Sequence, residues 1–173
     1  MRPGPAVCLS IAAVAAAAAT ALAGCQALQG PASPPPITSP GSPDRPREVN
    51  VIARDYSFDP PEVQLVPGET VLLHLVNAGL DVHEAVIGDQ RVQDAWEQAE
   101  AALAGAPPGP TPAVSVPPDR SGLRVVVRSG ERVDTHYTVP DTGELFVGCH
   151  IPGHYARGMV VPVRLVAIES ATS

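Results

Sequence analysis

The stretch from Gly148 to Met159 reads Gly-Cys-His-Ile-Pro-Gly-His-Tyr-Ala-Arg-Gly-Met, which spaces Cys149, His154 and Met159 five residues apart in turn. A thiolate, an imidazole and a weak thioether are three of the four donors of a blue-copper site, which takes two His, one Cys and a long axial Met. The second His must come from elsewhere. His83, which opens a strand after the turn Asn77-Ala78-Gly79-Leu80-Asp81, is the natural candidate. Thiolate and imidazole keep both Cu(I) and Cu(II) bound, and a rigid scaffold limits rearrangement between them. Zinc also takes Cys and His, so Cys149, His150 and His154 alone leave a zinc site conceivable. Zinc has no use for Met159, however, and the other of the two methionines is Met1.

Little else in the chain suggests chemistry. Acidic residues are scattered singly and form no convincing catalytic pair, and no glycine-rich phosphate loop is present. All 11 basic residues are arginine, dispersed against 18 carboxylates for a net charge of −7, so nucleic acid is not an expected partner. His74 and His136 lie in strand-like runs, where packed or surface histidines are the default.

These residues need a scaffold, and the chain reads as an address, a tether and one β-rich domain. Residues 1–24 carry Arg2 and then an alanine-rich apolar run ending in Leu22-Ala23-Gly24-Cys25, the pattern of a signal peptide. The small residues before Cys25 resemble the lipobox of bacterial lipoproteins, which implies cleavage before Cys25 and lipidation of it. A plain signal peptide or a single membrane helix is the alternative, although the run is short and alanine-rich for a permanent span. With Cys8 removed and Cys25 acylated, Cys149 is the lone thiol, and an extracytoplasmic thiol left unengaged is open to oxidation. Residues 25–47 form a Pro-rich tether with seven prolines between Pro31 and Pro46. At about 3.1 Å per residue it reaches roughly 70 Å from a bilayer.

The domain itself is expected over 48–169, with 170–173 as a tail. Short β-rich runs recur at Val49–Ala53, Glu62–Val66, Thr70–Val76, His83–Ile87, Leu123–Val127, Arg132–Val139, Leu145–Cys149 and Val160–Ile168. About eight such strands suit an antiparallel sandwich, with Pro162 marking an edge or a strand start. One helix interrupts them, capped by Asp89, running to about Ala104 and stopped by Gly105. Its apolar face carries Val92, Ala95, Trp96, Ala99 and Leu103, with Trp96 pinning it to the sandwich. Residues 106–118 are a second proline-rich loop. The 21 prolines argue against a helical bundle.

The segment Cys149–Met159 resembles the C-terminal ligand loop of the cupredoxins, especially auracyanin-like and plastocyanin/azurin-type proteins. Tyr56-Ser57-Phe58-Asp59-Pro60, Pro67-Gly68-Glu69-Thr70 and Asn77 through His83-Glu84 to Gly88 extend the likeness over about residues 48–168. The resemblance implies an all-β, Greek-key β-sandwich with one type 1 copper, His83, Cys149 and His154 as equatorial ligands and Met159 as the axial one. It also implies an electron port at the edge of His154, within an apolar patch of Pro152, Ala156, Leu80 and Val82. Many cupredoxins carry Asn after the first His, where this chain has Glu84. In copper oxidases and nitrite reductases a His beside the Cys serves a second copper centre. Here nothing completes such a centre, and His150 is expected to be exposed.

The expected protein is therefore a monomeric electron carrier and not an enzyme. It is lipid-anchored on the periplasmic or outer side of a bacterial membrane and passes electrons from a donor to an acceptor protein. Copper delivery or sequestration, or service as the copper subunit of a membrane redox complex, are the alternatives.

Overall fold

The structure, a computed structural model, describes residues 35–102 and 114–168. The expected signal peptide, Cys25, the first part of the expected tether and the helix end expected near Ala104 lie outside these residues. Among the described residues no helix is long and apolar enough to cross a membrane.

Among the described residues, nine strands build two sheets. The first contains β1 (Arg47–Arg54), β2 (Ser57–Asp59), β4 (Thr70–Asn77) and β7 (Arg132–Thr138), in the order β2-β1-β4-β7. The second contains β3 (Val63–Leu65), β5 (His83–Gly88), β6 (Leu123–Val127), β8 (Leu145–Gly148) and β9 (Val160–Leu165), in the order β3-β9-β8-β5-β6. Alternation decides the inner faces: Val49, Val51 and Ala53 of β1 and Val71, Leu73 and Leu75 of β4 are buried. They share one core with Ala85, Ile87, Val127, Leu145, Val147, Val161 and Val163 of the second sheet. Two faced sheets with one apolar layer between them make a β-sandwich.

All eight expected strands are present, and β2 is added. The expectation of an antiparallel sandwich needs correcting, because β1 pairs with β4, and β3 with β9, in parallel. Pro162 lies in an interior strand and not at an edge. It precedes the first residue of β9 that pairs with β3, Val163, so the ladder with β3 does not need its missing N–H.

The helix α1 (Gln90–Ala102) follows β5 and lies against β5 and β8. Asp89 caps it as expected, its Oδ1 accepting the Val92 N–H at 3.0 Å. Trp96 is buried, and its indole N–H donates to the Ser121 carbonyl at 2.8 Å, tying α1 to the turn that leads into β6. The apolar stripe is only part of the helix's inner face. Gln93 and Glu100 are buried on it too.

Candidate metal centre

Cys149, at the end of β8, begins a loop that returns to β9, and the loop closes on itself. The Cys149 N–H donates to the Met159 carbonyl at 3.0 Å, the His154 N–H to Ile151 at 2.9 Å, and the Met159 N–H to His154 at 3.2 Å. These bonds gather the three expected loop ligands at one end of the sandwich. His83 is delivered from β5 by the turn that precedes it. Asn77 organises that turn, donating to the Asp81 and Val127 carbonyls at 2.7 and 3.1 Å and accepting the Gly79 N–H at 2.8 Å.

The result is a compact donor set. Ligand atoms of His83, Cys149 and His154 all lie within 4.8 Å of one another. The Cys149 Sγ is 3.4 Å from His154 Nδ1 and 3.9 Å from His83 Nδ1, so both rings turn the same nitrogen toward the sulfur. Met159 is fully buried beside them, and the four residues cluster as a type 1 copper site. No other group of three His, Cys, Asp or Glu side chains is so disposed among the described residues.

The surroundings suit a soft, partly charged ligand set. Burial pushes the Cys149 thiol up to about 12, so its proton leaves only when a cation takes its place. Burial first, and the neighbouring His83 ring second, hold His154 below its ordinary pKa and favour the neutral imidazole that binds metal. The Glu84 N–H points at the Cys149 sulfur at 3.5 Å. Behind His83, Asp55 Oδ1 lies 2.9 Å from Nε2, fixing the ring with Nδ1 inward. Asp55 also accepts the Leu80 and Asp81 N–H groups, and the Leu80 bond, then His83, holds its carboxyl below the ordinary range.

Glu84 fills the role that its sequence position left open. It is wholly buried, and its Oε1 accepts the His150 N–H at 3.1 Å, joining the strand of one ligand to the loop of the others. Its other oxygen meets Arg124, which also bonds Glu100 at 2.7 Å and lies 4.5 Å over the Trp96 ring. Burial pushes the Glu84 carboxyl up to about 7, while Arg124 pulls it back and Glu100 adds to the rise.

Two expectations about the periphery change. His150 is not exposed: its ring is buried between α1 and Tyr155, with Nδ1 2.9 Å from Glu97 and Nε2 2.9 Å from Gln93. The surroundings of His154 are also more than apolar. Leu80, Pro152 and Ala156 are exposed and Val82 half-buried, as an apolar patch requires. Yet Tyr56 stands edge-on to His154 at 4.9 Å, with the Arg157 guanidinium 4.2 Å over its ring. Sequence reasoning missed Asp55, Gln93 and Glu97 in this setting, because each comes from an element distant in the chain.

Solved structures share this architecture. The auracyanin of the photosynthetic bacterium Roseiflexus castenholzii matches with a TM-score of 0.56 and 23% identity, over 69% of this chain and 97% of that one. Auracyanin B matches with a TM-score of 0.58 and 24% identity, over 76% and 98%. The fold is cupredoxin-like. Auracyanin A of Chloroflexus aurantiacus, described as a "blue" copper protein, adds a TM-score of 0.56 at 22% identity, over 70% and 99%. Among curated proteins, the copper-resistant cuproprotein CopI of Pseudomonas aeruginosa is 28% identical over 133 residues, 66% of this chain and 73% of CopI. No protein-family model matches the chain.

Proposed function

We propose that this cupredoxin-like protein binds one type 1 copper through His83, Cys149, His154 and Met159 and carries single electrons between a donor and an acceptor protein. The observation that carries the reading is the convergence of one buried thiol and two inward-turned Nδ1 atoms, with a buried methionine beside them. Bound copper supplies the one-electron Cu(II)/Cu(I) couple. The chain supplies a fixed ligand set: Asp55 orients His83, and Glu84 joins the His83 strand to the Cys149 loop. His154, edge-on to Tyr56, is buried but keeps the most surface of the four ligands, and is the ligand nearest a partner's approach. The signal peptide and Cys25 lead us to place the protein outside the cytoplasm, lipid-anchored on a bacterial membrane. A tether of this kind raises its effective concentration near membrane-bound partners.

A potentiometric titration of the copper-loaded domain tests the carrier reading. The expected result is a reversible one-electron wave with copper retained through repeated cycles. Copper lost on each reduction contradicts it. Radiolabelled fatty acid incorporated into the full chain but not into Cys25→Ala checks the anchor.

The likeness to CopI favours a second reading, in which the protein delivers or sequesters copper. Ready transfer of Cu(I) from the loaded protein to a competing chelator, without a reversible redox cycle, favours that reading. Retention of copper through the cycle favours the carrier.

A further inference from the structure

We propose that α1 is a strut of the metal centre, with Gln93 and Glu97 as positioning residues that act through His150 on its neighbour Cys149. The inference rests on the type 1 copper reading of the site. His150 follows the thiolate directly in the chain, and three groups grip it. Its N–H donates to Glu84, its Nε2 faces Gln93 Oε1 and its Nδ1 faces Glu97 Oε2, each within 3.1 Å. Two of these three groups stand on α1. Tyr155 stacks on the open face of the ring with centroids 4.7 Å apart, so the ring is fixed in its plane and across it.

Gln93 is what makes the grip rigid. It is wholly buried, and its amide NH2 faces the carbonyls of Val86, Gly88 and Phe146 at 3.1, 3.3 and 3.4 Å. Those carbonyls belong to β5, which carries His83, and to β8, which leads to Cys149. The same contacts fix the amide's orientation and aim its oxygen at His150. One side chain thus spans both ligand-bearing strands and the residue beside the thiolate.

The backbone is cut to admit it. A Cβ on Gly148 would run into Gln93 Oε1 and stand 3.1 Å from His150 Nε2, so a side chain before Cys149 would push the Gln93 amide off His150. A Cβ on Gly88 would lie 2.6 Å from Val92, so the start of α1 also needs a bare backbone beneath it. Packing alone does not explain this arrangement. A buried Gln and a buried His cost free energy unless every polar atom is paired, and two apolar side chains would seal the same interface. A connected buried polar network instead specifies a single arrangement. A metal site whose ligands must stay put between two oxidation states benefits from that rigidity.

The test compares Glu97→Ala and Gln93→Ala with Glu97→Gln, which keeps an acceptor for His150, and with Gln98→Ala on the exposed side of α1. Hydrogen exchange at the Cys149 and His150 amides is read in the copper-free protein. Cu(II) affinity and the copper hyperfine splitting are read in the loaded one. With the strut removed, the two amides exchange about tenfold faster, as the loss of a bond to a charged group implies. Cu(II) binds about tenfold more weakly, the lower end of the cost of losing an outer partner. The hyperfine splitting also moves away from the wild-type value, Glu97→Gln recovers all three readouts, and Gln98→Ala leaves them unchanged. Wild-type exchange, affinity and splitting in Glu97→Ala overturn the proposal. Glu97 is partly exposed, so this variant decides the matter even where Gln93→Ala fails to fold. The wild-type spectrum tests the copper reading separately: without a thiolate signature that reading falls, and the strut with it. A normal wild-type spectrum with unaltered variants removes the strut alone.

Discussion

His74 and His83 make an instructive pair. Both sit in strands, both are buried, and each has a carboxylate within hydrogen-bond distance: Asp134 at 2.8 Å for His74 and Asp55 at 2.9 Å for His83. They differ in what the second nitrogen meets. In His83 the carboxylate takes Nε2 and leaves Nδ1 facing Cys149 and His154 in the interior. In His74 the Asp134 carboxylate and the Arg132 guanidinium crowd Nδ1, while Nε2 looks toward Glu48 at 3.6 Å. His74 alternates with the core residues Leu73 and Leu75 and so faces away from the core. Burial and a carboxylate partner do not make a ligand. A free nitrogen aimed at a thiol does.

That contrast breaks first, and most visibly, by deleting each ring. His83→Ala should weaken Cu(II) binding by more than about a hundredfold, beyond the usual cost of losing an outer partner. His74→Ala should leave affinity and spectrum at wild-type values. Competition titration against a chelator measures both, and equal losses would erase the distinction. Next comes the buried acid beside His83. Glu84→Ala leaves the His150 N–H unpaired and Arg124 with Glu100 alone, and should cost roughly 3 kcal/mol in denaturant unfolding, the low end for breaking a buried pair. A loss below that of an ordinary surface substitution would contradict the geometry.

A finer test compares the two carboxylates that hold the rings. Asp55→Ala frees His83 to rotate and should lower Cu(II) affinity about tenfold. Asp134→Ala should not change it. The smallest effect is in acid. The Arg132 guanidinium, then His74, holds the Asp134 carboxyl down to about 2 from 3.8. A depressed folded-state value adds stability that is complete above about pH 4 and lost as pH falls toward 2. Because Asp134 is exposed to solvent, the effect is small. Asp134→Asn should therefore lower stability slightly at pH 7, leave it unchanged near pH 2, and so flatten the acid limb of a pH-dependent thermal melt. An unchanged limb would show the pair to be inert.

Much of this was legible in the sequence because it is local. The intervals between Cys149, His154 and Met159 lie within one loop, and His83 follows a turn that can be read from its residue types. The eight expected strands follow from runs of β-branched residues bounded by turns. Ser57–Asp59 escaped because three residues with a single apolar side chain carry no period. The parallel pairing of β1 with β4 was not legible, since register between distant strands is set by the assembled core and not by either strand. His150 was misread for the same reason. Nothing near it in the chain hints at burial, and the groups that bury it, Gln93 and Glu97, come from a helix more than fifty residues earlier. Glu84 was visible only as a departure. Its partner Arg124 lies forty residues on, and only the fold brings the two together.

The central claim is that Cys149, His83, His154 and Met159 form a type 1 copper centre. Visible absorption and electron paramagnetic resonance of the Cu(II)-loaded protein, beside Cys149→Ala, test it most directly. The account predicts an intense thiolate-to-copper band with narrow hyperfine splitting in the wild type and neither in the variant. Copper bound with a pale, ordinary spectrum, or a spectrum that survives the loss of Cys149, would contradict it.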